Sequence, residues 1–170
     1  MKGERENRGE EKYISPRARR DRAELSSDFW LEDENPDEII ARDEATMARL
    51  GIDPGELARK MAWAVKLSRQ EEHYCKTFAH GQFTISSAYY RMMVWCPLCS
   101  GEGGNGELVV IDNATGEELY FPSLMPHLVH THRFFESPHS RYRVEPEQAA
   151  RVLSQFVVPE SFVYPTEKGK

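Results

Sequence analysis

The sequence predicts a single α+β domain with an N-terminal helical hairpin, a small antiparallel sheet, and a third unit that joins paired cysteines to clustered histidines. Three observations predict it. Two proline-initiated stretches, starting at Pro36 and Pro54, carry apolar residues at helical spacing. The region 83–121 is rich in aromatic and β-branched residues and is interrupted by turn residues. The strings WCPLC at 95–99 and HLVHTH at 127–132 flank the last two of those strands.

The first helix follows Asn35, a good N-cap, with Pro36 at the first helical position. Asp37 and Glu38 sit at the positive end of the helix dipole, and Gly51 is a natural stop after Leu50. The second helix repeats the idiom with Asp53 as cap and Pro54 first. Leu57, Met61, Ala64, Val65 and Ser68 share one face, and the pattern extends to about Tyr74. Joined by Gly-Ile-Asp, the two helices are expected to pack antiparallel.

FTISS and AYYRMMVW read as one long bent strand or two short ones that deliver Trp95 to the cysteines. ELVVID and EELYF, separated by Asn113-Ala114-Thr115-Gly116, predict a β-hairpin. SLMPHLVHTHRFFE predicts a helix capped by Ser123. A last helix is expected from Pro146, with Val152, Leu153 and Phe156 toward the core. The following VVPESFVYPTEKGK contains two prolines and reads as an extended surface segment.

These assignments divide the chain into a disordered charged arm (1–27), one domain (28–165) and a short tail (166–170). The arm concentrates Arg17, Arg19, Arg20 and Arg22, a patch that a nucleic acid or an acidic partner can use. Acidic neighbours dilute it, and the whole chain carries a net charge of −6, which argues against broad electrostatic binding of nucleic acid. The acidic stretch 32–44 offers the opposite surface, suited to a basic protein partner. The N-terminus has no apolar leader, and no run of 18 apolar residues exists, so a cytoplasmic chain without membrane span is expected. Three cysteines, an odd number, do not suggest a disulfide framework, and Cys75 reads as a small apolar residue near a helix end.

Cys96 and Cys99 invite three readings. A thiol redox pair needs the first cysteine at a helix N-terminus, whose dipole lowers its pKa. Trp-Cys-Pro-Leu-Cys is similar to the thioredoxin active site for five residues, but Ser-Gly-Glu-Gly-Gly-Asn-Gly then follows, which will not hold a helix. Two buried thiols without chemistry are the second reading. The third is metal chelation: a tight turn brings two sulfurs to one side, and small residues after it let backbone amides approach them.

Half of the six histidines lie between 127 and 132. A cysteine knuckle, a β-hairpin and a ligand-bearing helix, taken in that order over roughly 95–136, resembles the treble-clef class of zinc fingers. The resemblance implies a four-ligand zinc site and a local fold, not an activity. His127 and His132 flank the apolar face of the helix, so burial selects them with Cys96 and Cys99 as ligands. In a regular helix the two imidazoles diverge by about 140°, so the helix must tighten or end near His132. His130 remains the alternative fourth ligand, since the pair His127 and His130 matches the usual two-residue gap.

Two thiolates and two imidazoles fill the zinc tetrahedron and leave no place for water, which marks a structural site. A deaminase-like centre would need His-x-Glu ahead of the pair, and neither His73 nor His80 provides it. A nuclease of the His-Asn-His type is the stronger enzyme alternative, with His130 and Asn113 fitted to its scheme, although the adjoining strands lack its base histidine. Phosphate-loop and nucleophile-elbow patterns are absent. Tyr89-Tyr90-Arg91 reads as strand core or as a stacking patch, and Arg133, Arg141 and Arg143 as a basic rim. The expected function is that of a small zinc-stabilised binding or regulatory protein, more binding module than enzyme. It would act through protein contacts or, by its arginines, nucleic acid.

Overall fold

The computed structural model describes residues 29–99 and 101–164. The N-terminal arm with its four arginines and the tail 166–170 lie outside the described residues. Among the described residues, four helices and one four-stranded antiparallel sheet make an α+β fold. In chain order these are α1 (Pro36–Leu50), α2 (Pro54–Ser68), β1 (Thr77–His80), β2 (Phe83–Trp95), β3 (Gly103–Asp112), β4 (Glu118–Pro122), α3 (Met125–His132) and α4 (Pro146–Val152). The sheet is a simple meander, β1-β2-β3-β4.

The first two helices begin as their caps dictate. The Asn35 side chain accepts from the Asp37 N–H, and Asp53 accepts from Gly55 and Glu56. Gly51 ends α1 in the left-handed conformation (φ 67°), with its N–H and that of Ile52 closing on the last carbonyls. The second helix stops at Ser68, six residues before Tyr74. Ser68 turns its hydroxyl back to the Val65 carbonyl and onto the Tyr89 hydroxyl (2.6 Å). A series of turns then leads to Cys75, a non-glycine residue at φ 53°. Cys75 is therefore a turn residue, and its sulfur lies 3.3 Å from the Tyr89 N–H.

The expected helical hairpin does not form. α1 packs against α4 while α2 lies along α3, so the consecutive helices serve different parts of the core. The reason is on the buried face of α1: Ile39, Asp43 and Met47 share one stripe, and Asp43 meets Arg143 from the segment before α4. That pair is bidentate at 2.5 and 2.7 Å, with both side chains under one-tenth exposed.

β1 was not legible in the sequence, yet it pairs with β2 from Thr77↔Ser86 to His80↔Phe83 around a Gly81-Gln82 turn. β2 is one long strand, and its irregularity falls after Tyr89. The register passes from Tyr89↔Gly106 to Val94↔Gly104, so residues 90–93 stand opposite Asn105 alone. The predicted hairpin is present as β3 and β4, with Glu107↔Pro122 through Ile111↔Glu118.

β3 begins eight residues upstream of Ile111, inside the glycine-rich stretch expected to be loop. Glycine is required there by close approach. A Cβ on Gly106 would sit 2.3 Å from the Tyr89 ring, and one on Gly103 would sit 2.8 Å from Met93. On the core face, Phe83, Ile85, Leu108, Val110, Leu119 and Phe121 pack against Met61, Met125, Leu128, Phe134 and Phe135. α4 adds Ala149 and Val152, and Leu153 and Phe156 follow it into the core as expected. The C-terminal segment crosses α2, where Arg59 donates to the Pro159 and Phe162 carbonyls and Phe162 packs on Trp63. No described helix is long and apolar enough to cross a membrane.

Candidate metal centre

The cysteines occupy the end of the β2–β3 hairpin. Trp95↔Gly103 is the last paired position, and the Cys96 N–H donates to the Glu102 carbonyl (2.9 Å) to close the turn. Among the described residues no helix lies between Cys99 and β3. Cys96 is buried and Cys99 is exposed. Burial pushes the Cys96 thiol up, the Leu98 and Cys99 N–H groups oppose that by favouring its thiolate, and the neighbouring Cys99 thiol adds to the rise. The Gly101 N–H points at the Cys99 sulfur (3.4 Å). Such a ring of amides around two sulfurs is the environment that a metal-bound thiolate pair needs.

α3 reaches this turn because β3 carries it there. A Cβ on Gly104 would lie 2.7 Å from the Leu124 nitrogen and 2.8 Å from the Ser123 hydroxyl. Ser123 is fastened to Gly106 twice: its N–H donates to the Gly106 carbonyl (2.7 Å) and its hydroxyl accepts from the Gly106 N–H (3.0 Å). Ser123 thus ties β3 to the helix start instead of capping the helix, whose cap position is Leu124 with no side-chain bond. Met125, Leu128 and Val129 are buried, and α3 packs on α2.

The helix ends at His132, with Arg133 in the left-handed region (φ 56°). The Arg133 side chain folds back onto the carbonyls of Val129 and His130 and so holds this stop. His132 lies beside His127 on this helix, their rings 5.2 Å apart and nearly perpendicular. Thr131 lies 3.3 Å from His127 Nδ1, and His127 Nε2 lies 3.3 Å from the Cys99 sulfur. One donor atom from each of Cys96, Cys99, His127 and His132 lies within 4.8 Å of every other, a group able to hold a metal ion. Tetrahedral zinc with two sulfurs and two nitrogens sets donor separations of about 3.3–3.8 Å, so a small contraction around an ion completes the geometry.

His130 is not in that group; its ring lies 4.4 Å from Tyr164. Asn113 is at the far end of β3 from the cysteines, and its side chain is engaged by Thr84. The anticipated basic rim is absent as such. Arg143 is buried on Asp43, Arg133 is bent onto its own helix, and Arg141 lies 5.1 Å over the Tyr142 ring. Asp43, within the acidic stretch, likewise faces inward. Tyr89 stacks on Tyr74 at 5.0 Å, and the Tyr90 and Tyr142 hydroxyls donate to Glu107, a buried carboxylate that no sequence pattern marked. A charged residue amid the glycines of a strand was the only signal for it. No protein-family model, curated protein or solved structure matches this chain, so the chemistry of the four converging donors carries the assignment.

Proposed function

We propose that Cys96, Cys99, His127 and His132 hold one zinc ion in a closed structural site, and that the chain is a zinc-stabilised binding or regulatory protein working through protein contacts. The observation that carries the metal reading is the convergence of two sulfurs and two imidazole nitrogens, with every donor pair within 4.8 Å. Thiolate and imidazole donors without a carboxylate suit zinc and disfavour magnesium or calcium. Four protein donors leave no coordination position for a reacting water, which favours a stapling role over catalysis. The order of elements supports the treble-clef-like reading: cysteine turn, β3–β4 hairpin, then α3 with both imidazoles. The arginine cluster at 17–22 would supply any nucleic-acid contact, and the chain would act in the cytoplasm.

Native mass spectrometry of protein purified without chelator tests the site. About one zinc per chain is expected, lost in Cys96→Ser, His127→Ala and His132→Ala and kept in His130→Ala. Zinc kept in His132→Ala and lost in His130→Ala would move the fourth position to His130. A metal-free chain two hydrogens light would replace the site with a Cys96–Cys99 redox pair. DNA cleavage with added magnesium or manganese, abolished by His130→Ala, would replace the binding function with nuclease activity.

A further inference from the structure

The last described segment, Pro159–Tyr164, lies outside every described helix and strand. Among the described residues its one backbone bond is internal, from the Phe162 N–H to the Pro159 carbonyl (2.9 Å). What holds it to the domain is side chains, most of them on α2. Arg59 donates from Nε to the Phe162 carbonyl (3.0 Å) and from Nη2 to the Pro159 carbonyl (2.8 Å). Phe162 packs on Trp63 with ring centroids 4.9 Å apart, and Lys66 Nζ lies 5.3 Å over the same Phe162 ring. Val163 is 74% exposed, while Phe162 and Tyr164 on either side of it are half-buried and act as two anchors. A segment with so few contacts opens locally at a fraction of the global unfolding free energy. The Trp63 indole N–H is also buried without an acceptor among the described residues, so the packed face leaves one hydrogen bond unmade.

The second anchor belongs to the metal centre. The Tyr164 ring lies 4.4 Å from that of His130, which stands on α3 between His127 and His132. Burial, and after it the negative charge of Glu102, pushes the Tyr164 phenol up to about 12. Glu102 is the residue whose carbonyl closes the cysteine turn on the Cys96 N–H. Tyr164 is thus seated where α3 approaches that turn. These are the two parts that an ion held by Cys96, Cys99, His127 and His132 would tie together.

We propose that Pro159–Tyr164 is a latch, closed over Trp63 while the centre holds its metal and opened when the metal leaves, a coupling that rests on the metal reading above. Without an ion the tie between α3 and the cysteine turn is lost, and the seat of Tyr164 loosens with it. Phe162 and Arg59 then hold the segment alone. Opening uncovers Arg59, Trp63 and Lys66, a cationic and aromatic face of α2. The coupling is reciprocal: if metal favours the closed latch, the closed latch favours metal by the same factor.

Chelator competition on the full chain reads that factor as zinc affinity. Arg59→Ala is the decisive variant, because among the described residues the bonds of Arg59 run to Glu56, Pro159 and Phe162 and none to α3 or the cysteine turn. It should weaken zinc binding by about fivefold or more, with far-UV circular dichroism unchanged. Tyr164→Ala should do the same, Tyr164→Phe should keep wild-type affinity, and Val163→Ala should change nothing. Hydrogen exchange adds a direct view: the Phe162 amide should exchange about tenfold faster after zinc is removed, with α1 as the internal reference. Should the metal-free chain unfold throughout, the affinity series decides. Unchanged zinc affinity in Arg59→Ala and Tyr164→Ala overturns the latch and leaves the metal site standing. A loss in only one of the two overturns it as well, since it reduces the effect to local support. A wild type that binds no zinc removes the metal reading and the latch together.

Discussion

Replacing Gly104 by alanine tests how the strand carries the metal helix. The new Cβ would lie 2.7 Å from the Leu124 nitrogen, 2.8 Å from the Ser123 hydroxyl and 2.9 Å from the Leu124 Cβ. One of these atoms is backbone, so the conflict cannot be relieved by rotating a flexible side chain. Restoring ordinary contact requires the start of α3 to retreat by about 0.7 Å, and overpacking of this kind costs roughly 1–3 kcal/mol. The retreat acts on the site as well, because His127 lies three residues past Leu124 on the displaced helix. Metal–ligand distances tolerate only about 0.2 Å, so an ion must pull the helix back against the strain. Metal affinity should therefore fall by up to the strain energy, about 5- to 150-fold. Urea unfolding of the apo and metal-loaded protein, with competition against a chromophoric chelator, reads both quantities. Gly101→Ala is the control, since its Cβ would meet only the Cys99 sulfur at an ordinary 3.6 Å. Wild-type stability and affinity in Gly104→Ala would refute the claim that β3 positions α3.

The remaining predictions concern charge. Asp43→Ala removes the buried one of the two carboxylates on the Arg143 guanidinium, which keeps the more exposed Glu145, and should cost about 1.5–3 kcal/mol in urea unfolding. A double change to Asp43→Leu and Arg143→Met should recover most of that loss, and a double-mutant cycle measures the coupling. Glu136 is fully buried, and burial pushes its carboxyl up to about 8, against the opposing Ser140 hydrogen bond and the arginines. A folded carboxyl above its unfolded value holds its proton in the folded state while the unfolded chain has released it. The contribution of this carboxyl to stability should therefore be complete below about pH 4.5 and be lost, at up to about 1.4 kcal/mol per pH unit, as pH rises toward 8. Glu136→Gln should flatten that slope; an unchanged slope in denaturation at pH 5, 6.5 and 8 would contradict this assignment.

Local chemistry made the helix starts readable. Asn35-Pro36 and Asp53-Pro54 specify their own caps, and no distant contact overrides them. Helix ends depended on neighbours: α2 stops where Ser68 meets Tyr89 from β2, a partner 21 residues away. The packing of α1 was hidden for the same reason, since Asp43 reads as a solvated acid until Arg143, 100 residues later, is placed against it. The glycine run 101–106 was read by propensity as loop, whereas strand formation there is set by the bulk of Tyr89, Met93 and Leu124. Four candidate ligands were named from spacing and burial pattern, and the fold gathers the same four; what spacing could not supply was that two imidazoles five positions apart on one unbroken helix lie with their rings 5.2 Å apart.

The two sides of the cluster differ in their access to solvent, and this sets how a bound ion would leave. Cys96 and His127 are sealed, at 1% and 7% exposure, while Cys99 is open. With His132 only partly buried, the most open approach for an incoming chelator or oxidant is the Cys99 sulfur, and exchange should begin by replacing that donor. Loss of metal would then be a second-order process, proportional to the attacking reagent, and slow in its absence. Were the site open on every side, the rate would instead follow the spontaneous breathing of the fold.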